Sequence, residues 1–215
     1  MSLTDLSHLT RAGMPTYLGF PDPQVTDHLS FDGSRGRYDE GTEFRIAEVR
    51  MVTSTGTYMD APGHRYRDGA DIGSVPLERC AGLPAVVVDV RGRQEIDAHT
   101  IPEDVTGCAV LFHTAWDRHW RTERYGSTEH PHLTLAAAER LVRNGAVLVG
   151  IDSVNVDGTV GGARPVHSTL LAAGVLIVEN LTRLGSVPSR GAAFTAAPVA
   201  FDGVPSFPVR AYASA

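Results

Sequence analysis

The chain has 215 residues, of which 42% are hydrophobic and 20% are charged, so it can bury a core without disulfide or metal crosslinks. Its formal net charge of −6 argues against nucleic acid or an anionic membrane as the main partner, because both attract positive surfaces. All 19 basic residues are arginines. The absence of lysine excludes a lysine Schiff base, a Walker-type phosphate loop and a Ser-Lys dyad.

The length predicts one domain spanning residues 1–215. The segment from Met1 to Gly13 holds no apolar run of signal-peptide length, and the longest apolar stretch, 170–178, is too short to cross a bilayer. We therefore expect a cytoplasmic protein. Cys80 and Cys108 form no zinc-binding pattern, and in that compartment we expect both thiols to be reduced and buried.

The first third of the chain is predicted to be irregular and then extended. Residues 15–41 are rich in Pro, Asp, Gly and Ser without clear periodicity, which is typical of irregular surface structure. Residues 44–53 alternate apolar and polar side chains, which predicts a half-buried strand. The next segment, 54–64, mixes Gly, Pro and polar residues and therefore predicts a turn that presents polar side chains.

A helix is predicted between two groups of strands in the middle of the chain. Short apolar runs at 85–90 and 109–113 predict strands. The helical pattern that follows begins after Thr134, a residue suited to N-capping, and closes at Gly145.

Strand and helix patterns continue to alternate after this helix. Runs at 146–151 and 175–178 predict strands on either side of a Gly-rich loop and a short helix at 168–173. This β-α-β-α-β order predicts a partly parallel sheet with helical crossovers. Residues 204–212 predict one last edge strand, because their two prolines are tolerated only at an edge.

Common catalytic motifs are missing from the sequence. It contains no HExxH, no GxSxG and no GxGxxG after a strand, so zincin, α/β-hydrolase and Rossmann folds lack support. His8, His28 and His99 lie in polar surroundings and are interpreted as surface residues. The Gly-rich segment 158–165 has the wrong spacing for a phosphate-binding loop, and we interpret it as a flexible pocket loop.

The segment 54–64, with the sequence STGTYMDAPGH, resembles the HxGTHxDxPxH signature of the metal-dependent cyclase family. That family includes bacterial kynurenine formamidases, isatin hydrolases and polyketide cyclase-like proteins. Further agreement comes from residues 71–90, 114–117, 130–131 and 149–154, and from His167 with Glu179 twelve residues later. The resemblance implies a swivelling β/β/α-type α/β fold with a mixed sheet, assembled as a homodimer or homotetramer.

The resemblance also implies a set of site residues. Asp60 matches the Asp that bridges two divalent ions in the family, and His167 with Glu179 matches the distant ligands of the second ion. His64 matches the acid/base His. The aromatic residues Trp116, Trp120 and Tyr125 are core residues by default, although the resemblance places the loop 114–131 near the pocket.

This chain departs from the signature at two metal ligands, because Ser54 and Tyr58 stand where the family has His. Neutral Ser and Tyr hydroxyls are poor ligands for zinc or manganese compared with imidazole. We therefore expect the first metal site to be empty. A second site of Asp60, His167 and Glu179 could hold one Zn or Mn ion with open positions, or it could be metal-free.

The expected activity is hydrolysis or ring closure of a small cyclic or aryl amide, lactone or polyketide-like substrate. With one ion, His64 moves the proton; without an ion, His64 and Tyr58 form the proton-handling pair beside Asp60. The alternative is an inactive homologue that binds a small molecule or acts as a scaffold. In a purely structural interpretation, Asp60 caps the turn, His167 lies in a helix terminus and Glu179 pairs with an arginine.

Overall fold

The computed structural model describes residues 2–15, 17 and 19–215, and these form a mixed α/β fold. The strands of this described part, in chain order, are β1 (Leu3–Asp5), β2 (Gln24–Leu29), β3 (Ile46–Arg50), β4 (Tyr58–Asp60), β5 (Leu83–Asp89), β6 (Glu95–Ile96), β7 (Ala109–His113), β8 (His132–Leu133), β9 (Leu148–Ile151), β10 (Leu176–Glu179), β11 (Ala193–Thr195), β12 (Ser206–Pro208) and β13 (Tyr212–Ser214). The α-helices are α1 (Phe31–Ser34), α2 (Leu135–Arg143) and α3 (Pro165–Ala172).

Nine of these strands form one mixed sheet in the order β1-β13-β11-β5-β7-β9-β10-β4-β12. The central strands β5, β7, β9 and β10 are parallel, and the strands on both sides of them are antiparallel to their neighbours. Helices α2 and α3 make the crossovers from β7 to β9 and from β9 to β10. The predicted mixed sheet with helical crossovers, of the swivelling β/β/α type, is confirmed.

Both faces of the sheet are buried, as strand β7 shows. Val110 and Phe112 pack in the core beneath α2 and α3, whereas Leu111 packs in the core on the opposite face. That second core joins Met59, near one end of the strand order, to Phe194, near the other end. The sheet therefore curls so that its two wings share apolar side chains.

Helix α2 has the boundaries that its sequence predicts. The Thr134 side chain accepts a hydrogen bond from the backbone N–H of Ala137, so it acts as the N-cap. Gly145 follows the helix with a φ of +78°, which glycine adopts more easily than other residues. The buried face of the helix carries Ala137, Ala138 and Leu141.

The N-terminal third differs from its prediction. Within the stretch expected to be irregular, β2 and α1 are regular, while Thr16 and Leu18 lie outside the described residues. Strand β3 exists as expected, but among the described strands it pairs with β2 alone, in a separate two-stranded ribbon. All five of its residues are exposed, so the predicted half-burial is wrong. The alternating pattern corresponds to an extended ribbon, and its apolar side chains, such as that of Val49, are left exposed by the other described residues.

The C-terminal segment also differs in detail. The predicted edge strand is β12, which carries Pro208 at the edge of the sheet. A further strand, β13, follows it and lies between β1 and β11 in the opposite wing. Cys80 and Cys108 are free and buried, as predicted. No helix among the described residues is long and apolar enough to cross a membrane.

Candidate active site

Strands β4 and β10 bring the predicted site residues together at the carboxyl edge of the parallel strands. Their antiparallel pairing places Glu179 opposite Tyr58 and Ile177 opposite Asp60. Side chains two residues apart on a strand share a face, so Tyr58 and Asp60 project on the same side. In open α/β sheets, ligand sites commonly lie at this edge.

Asp60 is completely buried, and neither of its carboxylate oxygens has a hydrogen-bond partner among the described residues. Buried carboxylates are normally paired, because withdrawing a charge from water costs several kcal/mol. Two imidazoles lie just beyond hydrogen-bond distance. His64 Nδ1 is 3.5 Å from one oxygen of Asp60, and His167 Nε2 is 3.7 Å from the other.

His64 is placed by a tight turn directly after β4. Residues Pro62–His64 form a single turn of 3-10 helix that begins with a proline, whose fixed φ suits a first helical position. The turn packs closely on Gly69, where an added Cβ would lie 2.5 Å from the backbone carbon of Pro62. The His64 side chain is 37% exposed, so it can exchange protons with solvent while facing Asp60.

His167 lies in the first turn of α3 and is oriented by Asp157. One carboxylate oxygen of Asp157 accepts hydrogen bonds from the backbone N–H and from Nδ1 of His167, at 2.9 and 2.7 Å. The other accepts from the backbone N–H of Val166. Because the carboxylate can only accept, Nδ1 carries a proton and Nε2 faces Asp60 and Glu179.

The charges around His167 determine its protonation. Burial alone would lower its pKa, but the hydrogen bond to Asp157 and the nearby carboxylates of Asp60 and Glu179 raise the pKa to about 10. In the absence of another cation, His167 therefore carries a second proton near neutral pH. That proton supplies the positive charge that the buried acids require.

Tyr58 and Glu179 form a cross-strand pair. The phenol of Tyr58 donates a hydrogen bond to Oε2 of Glu179, and the backbone N–H of Val156 donates to Oε1 at 2.7 Å. Burial and the charges of Glu179 and Asp60 hold the pKa of Tyr58 well above its usual range. Tyr58 is therefore a neutral hydrogen-bond donor at physiological pH, and it ties down the carboxylate opposite it.

Asp60, His64 and His167 form the group that best fits a metal ion. One ligand atom from each residue lies within 4.8 Å of the other two. The unpaired oxygens of Asp60 and two imidazole nitrogens make a donor set that suits Zn²⁺ or Mn²⁺. The predicted set was Asp60, His167 and Glu179. His64 joins Asp60 and His167 in this group, and Oε1 of Glu179 lies 3.6 Å from Nε2 of His167.

A cavity open to solvent lies beside Tyr58. Its described lining is mostly aromatic and apolar, with a few polar residues: Met14, Pro15, Tyr17, Ser54, Gly56, Tyr58, Trp120, Arg121, Thr122, Tyr125, Gly126, Val154 and Asn180. The expectation that the loop 114–131 lies near the pocket is thus met by several of its residues. The predicted pocket loop 158–165 supplies none of this lining.

Asn180 and Asp157 are organising residues that the sequence did not reveal. Asn180 has a φ of +58°, accepts a hydrogen bond from Tyr125 and donates one to the backbone of Gly56. It therefore ties the end of β10 to the signature turn. The sequence signals for Asn180 and Asp157 are weak: Asn180 directly follows Glu179, and Asp157 precedes a glycine before α3.

The other candidate side chains have structural surroundings. Ser54 hydrogen-bonds Ser206 and lines the cavity without contacting the acid cluster through any of the described hydrogen bonds. Trp116 and Tyr125 are buried together with Val154, and Trp120 packs against them. The interpretation of His8 as a surface residue is wrong. Its ring stacks on the ring of Trp120, with the two ring centroids 3.9 Å apart.

Comparison with known proteins places this geometry in a family. The sequence model of the Putative cyclase family matches residues 4–158. Kynurenine formamidase from Erythrobacter litoralis is 31% identical over 86% of this chain and 80% of its own length. The chain belongs to the cyclase family.

Solved structures agree with this family assignment. A structure described as a potential metal-dependent hydrolase with cyclase activity has a TM-score of 0.80 and 27% identity, covering 99% of this chain and 96% of its own. Isatin hydrolase A from Labrenzia aggregata, bound to benzyl benzoate, has a TM-score of 0.82 at 22% identity, covering 99% and 93% of the two chains. At that identity, the second comparison shows the shared fold alone.

Proposed function

We propose that this cyclase-family protein is a metal-dependent hydrolase that cleaves the C–N bond of a small aryl or cyclic amide. The observation that carries the proposal is the buried, unpaired carboxylate of Asp60 between His64 and His167. The name of the Erythrobacter litoralis relative, a kynurenine formamidase, supports amide hydrolysis. The description of the solved relative supports dependence on a metal.

Asp60 and His167 would hold a single divalent ion, and the partly exposed His64 lies beside them, free to move a proton. When bound, such an ion lowers the pKa of water and polarises a carbonyl group. The neutral phenol of Tyr58 replaces an imidazole of the family signature and donates to Glu179. We therefore expect one ion per chain, with Glu179 held next to the cluster by Tyr58 and Val156.

The side chains of this site have different roles in hydrolysis. Hydrolysis adds a hydroxyl group to the carbonyl carbon and a proton to the departing nitrogen. His64 is the group placed to move that proton, because it is partly exposed and faces the cluster. Asp157 keeps His167 in one orientation, which limits the reorganisation needed during turnover. The aromatic side chains that line the cavity beside Tyr58 would contact the ring of the substrate.

A test combines metal removal with turnover. We expect chelated protein to lose hydrolysis of an aryl formamide and of a cyclic aryl amide, and to regain it with Zn²⁺ or Mn²⁺ in a one-to-one ratio. His167→Gln should lose both the ion and turnover. His99→Gln is the matched control, because His99 is exposed and lies outside the group of Asp60, His64 and His167. This variant should keep both the ion and turnover.

Two results would contradict metal-dependent hydrolysis. Full turnover in metal-free protein would favour acid/base catalysis by His64 and its neighbours. Saturable binding of these amides without turnover by the metal-loaded protein would favour the binding homologue instead.

We also propose that the protein assembles as a homodimer or homotetramer in the cytoplasm. The exposed apolar side chains of the β2–β3 ribbon and its flanks, Val25, Phe31, Phe44, Ile46 and Val49, support assembly, because a second copy would cover them. Light scattering during size-exclusion chromatography measures the mass, and a monomer at micromolar concentration would contradict the proposal.

A further inference from the structure

Arg121 differs from every other described residue that lines the cavity, because it alone carries a formal charge. Its side chain makes no hydrogen bond or ion pair with the described part of the chain. Neighbouring arginines of the same loop do have partners: Arg118 donates to His119, and Arg124 lies near Glu129 and over the ring of Trp116. The guanidinium of Arg121 is therefore free to bind something that the chain does not supply.

The backbone at Arg121 has an uncommon conformation. Its φ is +66°, in the left-handed region that residues other than glycine, asparagine and aspartate rarely adopt. The turn around it is held on both sides by backbone hydrogen bonds from Trp120 to Asp117 and from Thr122 to His119. Such outliers tend to persist where the surrounding structure enforces them, often at ligand sites.

Tyr58 and Arg121 line the same cavity. At its buried end, Tyr58 contacts the carboxylate of Glu179, and Asp60 lies on the same strand as Tyr58. At the solvent end, the exposed Arg121 offers planar donors that match a carboxylate. Aromatic side chains, including Tyr17, Trp120 and Tyr125, line the space that contains both ends.

We propose that Arg121 determines specificity by binding a carboxylate on an aromatic substrate of the cavity. The inference rests on the proposed function, because the neutral amide of the same substrate then faces Tyr58 and the acid cluster. The substrate class is an aryl amide that bears a carboxylate on, or close to, its ring. Arg121 contacts the substrate and leaves the hydrolytic chemistry to the cluster around Asp60.

The test uses two probes that differ in one group, N-formylanthranilate and its primary amide, N-formylanthranilamide. For the metal-loaded protein, we expect the carboxylate to bind about tenfold tighter by titration calorimetry, a difference of about 1.4 kcal/mol. Arg121→Gln should abolish this preference, and Arg121→Lys should keep part of it. The preference should shrink at high salt, since the guanidinium is exposed. Arg118→Gln, at an exposed arginine of the same loop outside the cavity lining, is the matched control.

The outcomes separate this inference from the proposed function. Equal affinity of the wild-type protein for both probes, or an unchanged preference in Arg121→Gln, overturns the role of Arg121 even if both probes are hydrolysed. Equal loss of preference in Arg118→Gln overturns it as well, since a general charge effect then suffices. If neither probe is hydrolysed but the predicted binding pattern appears, the specificity inference holds and the hydrolytic function fails.

Discussion

Two buried aspartates in this protein have opposite surroundings. Asp152, after β9, accepts hydrogen bonds from the backbone N–H groups of Thr114 and Ala115 and from the Thr114 hydroxyl. Asp60, on β4, accepts none from the described residues. Both side chains are shielded from solvent. Burial raises the pKa of Asp152 to about 7, although its three hydrogen bonds oppose the shift, whereas Asp60 faces the charge of His167 without a hydrogen bond from the described residues. The comparison supports the proposal that Asp60 binds a ligand, whereas Asp152 fixes the backbone at Thr114 and Ala115.

The largest effect is expected when Asp60 is neutralised. Asp60→Asn should reduce kcat/KM for amide hydrolysis roughly a thousandfold, which corresponds to about 4 kcal/mol. The free energy of unfolding of the metal-free protein should change little, because the substitution removes both the desolvation cost of the carboxylate and its attraction to the protonated His167. Steady-state kinetics and urea denaturation measure the two quantities.

The control for this change is Asp68→Asn, at an exposed aspartate in the segment that follows His64. It should leave both quantities unchanged. A fall in stability of Asp60→Asn without a fall in activity would show that Asp60 serves the fold, and the contrast with Asp152 would disappear.

Replacement of Asp152 should lower the free energy of unfolding. Asp152→Ala leaves the N–H groups of Thr114 and Ala115 without their acceptor. We expect the free energy of unfolding to fall by about 3 kcal/mol, since each unsatisfied buried donor costs roughly 1–3 kcal/mol. Urea denaturation at neutral pH measures the loss. Wild-type stability in this variant would mean that the three hydrogen bonds contribute nothing net.

His8 sharpens the comparison, because its Nε2 is the other buried side-chain atom that lacks a partner among the described residues. Burial lowers the pKa of His8 to about 4, with Asp117 opposing and Arg183 reinforcing the shift. The unfolded chain takes up the proton near pH 6.5, whereas the folded chain resists it until about pH 4. The stability of the folded protein therefore falls as the pH drops through this window.

His8→Phe keeps a ring against Trp120 but removes this titration. Between pH 8 and pH 5, the wild-type protein should lose about 1–2 kcal/mol more unfolding free energy than the variant, after allowance for partial solvent screening. Urea denaturation at both pH values gives the difference. His28→Phe, at an exposed histidine, should behave like the wild-type protein. Parallel pH dependence of the wild-type protein and His8→Phe would show that His8 titrates normally.

The sequence predicts much of the fold because local patterns coincide with tertiary burial in its central part. Strands β5, β7, β9 and β10 and helix α2 all occur where apolar runs and the Thr134 cap predict them. The prediction fails in the ribbon of β2 and β3, because an alternating pattern does not state which partner covers its apolar face. In this exposed ribbon, unlike in the core, the alternating sequence pattern does not correspond to burial.

The candidate site was predictable only as far as its motif extends. Asp60, His64 and Tyr58 lie in one short segment, and the resemblance adds His167 and Glu179; the structure brings all five to one edge of the sheet. The catalytic roles assigned to them stay predictions. Asp157, Asn180 and Arg121 could not be found in this way, because their contacts depend on where loops fold back over the strands.

The short strand β4 limits how this site can evolve. Tyr58 and Asp60 face the cavity and the acid cluster, while Met59 between them packs in the apolar core. Deletion of any one of the three residues would rotate polar groups into the core and a thioether into the pocket. Exchange of one side chain, as of His for Tyr at position 58, leaves the backbone register intact. Descendants of this gene can thus acquire new chemistry here by substitution, but not by a change in strand length.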